Sequence, residues 1–505
     1  MSTNRLTTLQ DVEVIDLPEA LAPEYVRTHK VLPLALSDGT VTVVAPYEMD
    51  ADVMDDLRVA FGVPVVRWLQ AEESEIDAAI ERALLATAET VTDLVRSLAE
   101  SGSGPALTEA ATAEDLTSLA NQPPVVKLVN LILLEALESQ ASDVHLEGQQ
   151  QGLGVRYRID GALVNAPAPP PHLKEVVVSR VKVMAGLDIA ERRAPQDGRV
   201  RLRLKDREID VRVSTLPGIH GESVVLRLLD ATGQRLSLEE LGMESGILEA
   251  FDRLVRRPHG IVLVSGPTGS GKTTTLYAAL SRIRTGREKI VTVEDPVEYR
   301  VSGVTQVQVN PAAGVTFATA LRSILRQDPD IILVGEMRDP ETAEIAVHAA
   351  LTGHLVFSTV HTNDAATGIT RLLDLGVPNY LVASAVQGIL AQRLVRRICA
   401  HCRDEMELPL QLAADAGLTG DSTRAWRGRG CERCRGTGYR GRVGIFELLV
   451  LDDEIRREVL SHRGSEAIRK IAARSGMRTM REEGFAKAVA GMTSIEEVER
   501  ATRES

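Results

Sequence analysis

Several patterns of apolar and polar positions succeed one another along the chain, and each predicts a different kind of element. Residues 1–85 alternate strand-like runs, such as Val41-Thr42-Val43-Val44-Ala45, with helical stretches such as Glu75 to Leu85, which predicts a small α/β module. Ser101-Gly102-Ser103-Gly104-Pro105 and the Ala/Thr/Glu-rich stretch to about Ala120 offer little to pack, so residues 86–120 read as a flexible linker. From Pro124, Val125, Leu128, Val129, Ile132, Leu133 and Ala136 recur at helical spacing, and Ser142-Asp143-Val144-His145-Leu146 then opens a strand-rich segment. Together these predict a second domain over 121–230. Its strands alternate arginine with apolar residues, as in Gly198 to Leu204 and Glu208 to Val213, the pattern of a sheet with one core face and one solvated face.

Over 231–394 the alternation gives way to nearly continuous apolar runs, Gly260 to Ser265, Lys289 to Glu294, Ile331 to Gly335 and Leu355 to Thr359, each followed by a helical period. That order predicts a largely parallel sheet with helices on both faces. Residues 395–443 carry two cysteine pairs, residues 444–505 read as helical, and no fixed-period repeat is visible. The fold class is α/β and multidomain, as a length of 505 residues also requires.

Composition adds two constraints. Only 3% of residues are aromatic, which argues against base stacking as the main activity. The net charge of −13 belongs to residues 1–120, with the remainder near neutral, so the N-terminal module reads as an acidic docking surface or a solvated acidic face. The chain opens on no signal peptide, and no apolar run approaches the roughly 20 residues of a bilayer span. A cytosolic protein reaching the membrane through a partner is expected.

Candidate chemistry centres on Gly266-Pro267-Thr268-Gly269-Ser270-Gly271-Lys272-Thr273, a phosphate-binding loop between an apolar strand and a helix that includes Thr274. Its glycines let backbone N–H groups turn inward around phosphates, Lys272 reaches the β- and γ-phosphates of ATP, and the Thr273 hydroxyl can ligate Mg2+. The helix dipole adds positive potential. Hydrolysis also needs a carboxylate to orient water, and Glu336, leaving the Ile331 to Gly335 strand, is the candidate. Glu294-Asp295-Pro296-Val297-Glu298 closes another strand, where Glu294 and Glu298 could hold hydrated Mg2+ or polarise water. His354 and His361 stand at the two ends of a fourth strand, as candidate catalytic residues or as structural hydrogen-bonders.

Taken in order, the phosphate loop, the Glu294 to Glu298 box, the Asp330 to Glu336 segment and the His354 to His361 box resemble the secretion ATPase superfamily of type II and type IV systems. Ser142-Asp143-Val144-His145, Arg156 to Gly161 and Pro195-Gln196-Asp197-Gly198-Arg199 look like that family's nucleotide-capping domain. The resemblance covers about residues 121–505. It implies a RecA-like core, a ring that is usually a hexamer, and ATP held between motor and capping domains. Arg212, Arg227, Arg322 and Arg326 match the arginines that reach the phosphates. Gly335 stands where many P-loop ATPases place a metal-binding aspartate, a feature this family shares, which leaves the Mg2+ contacts divided among Thr273, water and the acidic residues.

Cys399 and Cys402, then Cys431 and Cys434, form two Cys-x-x-Cys knuckles whose four thiolates can close a structural Zn2+ site. By resemblance, a tetracysteine insert favours the assembly ATPases of type II secretion, with pilus-extension ATPases second. Seven arginines in residues 421–442 keep a nucleic-acid translocase as the rival reading, against which stand the capping domain and an overall pI of about 5.4. The resemblance implies as partners further copies of the chain, the cytosolic part of an inner-membrane secretion protein held by residues 1–100, and an inner-membrane platform protein. It implies no nucleic acid.

Overall fold

The computed structural model describes residues 23–37, 39–47, 49–77, 79–80, 90–101, 112–204, 207–230, 236–407, 424–461 and 464–503. The chain divides into two units, Met1–Asp230 and Ala231–Ser505.

The first unit opens with helix α1 (Pro23–His29) and a three-stranded sheet, β1 (Leu32–Ser37), β2 (Thr40–Ala45) and β3 (Val65–Gln70). β1 and β2 run antiparallel, while α2 (Ala51–Phe61) lies in the chain between β2 and its parallel neighbour β3. The helix expected over Glu75 to Leu85 is present to Ile80, and the rest lies outside the described residues.

Residues 86–120 are not wholly the linker their composition predicts. Two helices, α3 (Val91–Ser101) and α4 (Ala113–Ala120), fall inside that stretch. Val91, Leu94 and Leu98 share one helical face and join the apolar core that holds Leu128, Val129 and Ile132. Thr112 and Asp115 form a reciprocal capping box that starts α4. Residues 86–89 and 102–111, which include the Gly-rich run, lie outside the described residues.

Helix α5 (Pro123–Glu138) buries the predicted Val125, Leu128, Val129, Ile132, Leu133 and Ala136. With α6 (Lys174–Met184) it supplies the core of a six-stranded antiparallel sheet in the order β6-β5-β4-β9-β8-β7. These strands are β4 (Ala141–Gln149), β5 (Gly152–Ile159), β6 (Ala162–Asn165), β7 (Gln196–Leu204), β8 (Arg207–Leu216) and β9 (Ser223–Asp230). Val144, Leu146, Val155, Val211, Val213 and Leu226 enter the core, so their alternating neighbours occupy the opposite face.

The second unit is built on a seven-stranded sheet in the order β12-β11-β13-β14-β10-β15-β18. Its strands are β10 (Gly260–Ser265), β11 (Ile290–Glu294), β12 (Thr305–Gln308), β13 (Ile331–Val334), β14 (Leu355–Val360), β15 (Val386–Ile398) and β18 (Tyr439–Val450). Every pair is parallel except β15 with β18. β10, β11, β13 and β14 are buried throughout because both faces are covered, the packing that unbroken apolar runs predict. Ile261 and Leu263 enter one core while Val262 and Val264 enter the other, under α7 (Ser245–Val255) and α8 (Lys272–Ile283).

Residues 444–450, expected to be helical, belong instead to β18, and helices begin only at Asp453. Their apolar run pairs with β15, so the motor sheet closes after the cysteine-bearing insert. Within that insert β16 (Arg403–Glu407) and β17 (Arg424–Gly428) form a hairpin. Arg427 and Arg429 reach Asp404 at 3.5 and 3.4 Å, and Arg424 reaches Glu405 at 3.2 Å, so part of the arginine-rich stretch is neutralised within the module. Among the described residues no helix is long and apolar enough to cross a membrane.

Candidate functional site

Parallel pairing brings the carboxyl ends of β13, β14, β10 and β15 to one edge of the motor sheet. The phosphate loop leaves β10 there, with Gly266, Gly269 and Gly271 all at positive φ and Lys272 opening α8. Lys272 Nζ donates to the carbonyls of Gly266 and Pro267 at 2.7 and 2.9 Å. The ammonium thus sits on the loop's own carbonyls, within the curve that backbone N–H groups would offer to phosphate. Burial brings its pKa down to about 8, while the nearby Glu336 carboxylate pulls it upward.

Glu336 follows β13 by two residues and is 9% exposed. Its Oε2 lies 3.6 Å from His361 Nε2, at the end of β14, and 2.5 Å from Arg338 Nε. Burial, then the Lys272 charge, hold the His361 pKa below its ordinary value, so the imidazole is neutral at neutral pH. Side-chain hydroxyls tie the strand ends together. Thr359 Oγ1 donates to the Gly335 carbonyl at 2.7 Å, Ser358 Oγ donates to the Val334 carbonyl at 2.7 Å, and Ser265 Oγ donates to the Thr362 carbonyl at 3.0 Å. A Cβ on Gly335 would stand 3.2 Å from the Val293 carbonyl oxygen and 3.3 Å from Glu294 Cα, which gives a steric reason for glycine at a position where other P-loop ATPases carry aspartate.

The remaining candidates separate. Glu294 is buried at the end of β11, where its carboxylate accepts from the hydroxyls of Tyr277 and Thr292 and, at 3.3 Å, from the Gln306 amide. Glu298 is exposed. The acidic box is therefore split between a carboxylate held within the protein and one at the surface. His354 precedes β14, so it stands at the opposite edge of the sheet from the loop, with Nδ1 2.8 Å from the Ala349 carbonyl at the end of α10 (Pro340–Leu351, following α9, Phe317–Ile324). Of the two histidines expected to be catalytic, only His361 stands at the loop's edge, because a strand's two ends lie on opposite edges.

Arg322 pairs with Glu341 at 2.5 Å, and Arg326 donates to the Arg322 carbonyl and to Ser323 Oγ. Neither joins the Lys272–Glu336–His361 cluster. Arg212 and Arg227 belong to the first unit, on the face of the six-stranded sheet away from its core. Strand register there places Arg199, Arg212, Arg227, Asp143 and Arg158 in one row across β7, β8, β9, β4 and β5. Arg227 Nε donates to Asp143 Oδ1 at 2.9 Å, and Arg158 lies 3.8 Å from the same carboxylate.

Cys399 and Cys402 follow β15, and Cys431 and Cys434 precede β18; their four Sγ atoms lie within 4.8 Å of one another. Three of the separations are 3.7, 3.8 and 3.9 Å. A tetrahedron with Zn–S bonds of about 2.3 Å has edges of about 3.8 Å, so the donor set and spacing fit a closed Zn2+ site. Burial raises the Cys434 thiol, but the N–H groups of Cys431 and Gly438 donating to Sγ, together with hydrogen bonds from the Cys431 and Cys402 thiols, lower its pKa.

Arg338 and Gln392 are site residues the sequence reading does not single out. Arg338 carried a signal in its place two residues after Glu336. Gln392 carried none, because only the sheet order places it beside the loop.

A mostly parallel sheet with a phosphate loop at its carboxyl edge and, across β14 from the loop's strand, a carboxylate at the end of β13 defines a P-loop ATPase. The model of the type II/IV secretion system protein family matches residues 118–500, and that of the MshEN domain matches residues 5–90. Among curated relatives, type II secretion system protein HxcR of Pseudomonas aeruginosa is 54% identical over 77% of this chain and 80% of its own. Type II secretion system protein E of Xanthomonas campestris pv. campestris is 46% identical over 98% and 86%, and type II secretion system ATPase E of Vibrio cholerae 45% over 93% and 93%. The solved pilus retraction motor PilT with bound ADP is similar with a TM-score of 0.52 at 28% identity, covering 74% of this chain and 96% of that one. The Legionella pneumophila ATPase DotB shares the fold, with a TM-score of 0.57 at 21% identity, covering 74% and 95%. The chain belongs to the type II/IV secretion system protein family, and it is a type II secretion ATPase. Nucleotide, Mg2+, oligomeric assembly and contact with secretion machinery follow from that membership.

Proposed function

We propose that this chain is a cytoplasmic ATPase, recruited to the inner membrane by a partner, whose turnover drives assembly of a pseudopilus for protein export. The observation that carries the reading is the gathering of Lys272, Glu336 and His361 at one edge of the motor sheet. Lys272 leaves the Gly266 and Pro267 carbonyls to bind the β- and γ-phosphates, and the loop N–H groups from Gly266 to Thr274 enclose them. Thr273 would hold Mg2+, which supplies charge neutralisation at the phosphates when bound. Glu336 orients the attacking water, and neutral His361 supports that carboxylate through an imidazole N–H without competing as a cation. Glu294 acts as an anchor at the end of β11, and Glu298 is the acidic residue with access to hydrated metal. Arg212, Arg227, Arg322 and Arg326 serve the phosphates in the assembled ring, a role supported by their positions in the family pattern. His354 has no place in this mechanism.

Residues 121–230 cap the nucleotide, 231–394 with β15 and β18 form the motor, and 395–443 fold around one Zn2+ held by Cys399, Cys402, Cys431 and Cys434. Residues 1–100 dock the cytosolic domain of an inner-membrane secretion protein, and the cysteine module contacts the platform protein. Six copies form the working ring. The test uses the full chain and a chain lacking residues 1–100, each incubated with the cytosolic domain of a type II secretion inner-membrane protein and, separately, of a pilus counterpart. Capture of the secretion domain by the full chain alone is expected; capture of only the pilus domain would move the chain to the pilus-extension branch.

A further inference from the structure

β15 lies beside β10 in parallel register, Val264 against Leu390 and Ser265 against Ala391, so the next residue of β15, Gln392, stands beside the first glycine of the phosphate loop. It is 2% exposed, and its Nε2 donates to the Ser270 carbonyl at 2.6 Å. That carbonyl can only accept, so the amide nitrogen must face it and the orientation of the amide is settled by chemistry. Two loop glycines are also shaped by this residue. A Cβ on Gly266 would lie 2.5 Å from the backbone carbonyl oxygen of Gln392, and one on Gly271 would lie 3.2 Å from its side-chain Nε2. Gln392 Oε1 is buried without a partner among the described residues, as is Ser270 Oγ. An amide placed for stability alone pairs both of its ends.

We propose that Gln392 is a positioning residue for nucleotide binding: by holding the Ser270 carbonyl outward on β15, it keeps the loop N–H groups turned in toward the phosphates. This rests on the reading of the loop as the nucleotide site. The amide donor is the working group, so what occupies position 392 matters by its ability to donate. Gln392→Met keeps the length and removes the donor. Gln392→Glu keeps the shape but, when ionised, sets an acceptor against the Ser270 carbonyl and a negative charge beside the phosphates. When protonated, its hydroxyl can donate again.

The experiment titrates a fluorescent ADP analogue against wild type and both variants between pH 6 and pH 8.5, with thermal melts alongside. Gln392→Met should weaken binding by about three- to tenfold, the worth of one hydrogen bond, by a ratio to wild type that does not change with pH. Gln392→Glu should weaken it more at pH 8.5 and recover toward wild type at pH 6, and its KM for ATP should rise more than its kcat falls. Unchanged affinity in both variants, or an equal deficit in both at every pH accompanied by a lower Tm, would overturn the assignment. Failure of the wild-type chain to bind the analogue would strike the nucleotide-site reading itself.

Discussion

The two large sheets of this chain present chemistry in opposite ways. In the motor sheet β10, β13 and β14 are buried along their whole length, so no side chain in mid-strand can meet a ligand and function collects at the strand ends. Residues far apart in sequence, Lys272, Glu336, His361 and Gln392, share one edge. In the six-stranded antiparallel sheet one face is core and the other carries the row Arg199, Arg212, Arg227, Asp143 and Arg158 across five strands. The edge concentrates a few residues that cannot substitute for one another, while the face spreads four guanidiniums over several positions around the single carboxylate of Asp143. Loss of a single residue should therefore be close to all-or-none at the edge and graded on the face.

Lys272→Ala is the largest expected effect. It removes the charge that replaces the loop's self-contacts with phosphate contacts, and nucleotide affinity and kcat/KM should fall together, the latter by about a thousandfold or more. A variant that still binds ADP with near wild-type affinity would break the comparison at its edge. On the face, Arg212→Ala and Arg227→Ala should each lower steady-state turnover of the assembled ring by about ten- to a hundredfold with ADP binding retained. The loss stays below that of a lone arginine finger because several guanidiniums share the charge. If either change abolishes turnover as completely as Lys272→Ala, the face is not graded.

A smaller effect comes from pH. Burial brings the free Lys272 ammonium to a pKa of about 8, whereas bound phosphates, being anionic, would raise it. Below that pH the lysine is charged in both states and affinity is flat on its account. Above it the free protein has lost the proton that the complex retains, so binding takes up a proton and ADP affinity falls, approaching about tenfold per pH unit. Calorimetry in buffers of different ionisation enthalpy reads the uptake directly. No proton uptake at pH 8.5 would mean that Lys272 is already fully charged when free.

Much of this was legible in the primary structure where local pattern and chemistry coincide. The phosphate loop, Glu336 after its apolar strand and the two cysteine knuckles are contiguous signatures, and the core face of α5 follows from spacing alone. What sequence reading loses is decided by which strand lies beside which. Gln392 meets the loop because β15, more than a hundred residues downstream of β10, pairs with it. His354 stands away from the loop for a reason that parallel order contains, since a residue before a strand and a residue after it end on opposite edges. The helix at Val91–Ser101 was obscured by the Gly-rich run that follows, although Val91, Leu94 and Leu98 carry helical spacing. The seventh motor strand resembles helix in sequence because its apolar run has no turn signal to separate it from the helices after Asp453.

The central claim is that the edge formed by the loop and Glu336 hydrolyses ATP, with Glu336 acting on water and not on nucleotide binding. Glu336→Gln keeps the shape and a hydrogen-bonding group while removing the charge, and its single-turnover ATP hydrolysis should be measured together with its ADP affinity. Affinity within about threefold of wild type with hydrolysis slowed by about a hundredfold or more is the predicted result. Hydrolysis at the wild-type rate in that variant would contradict the account.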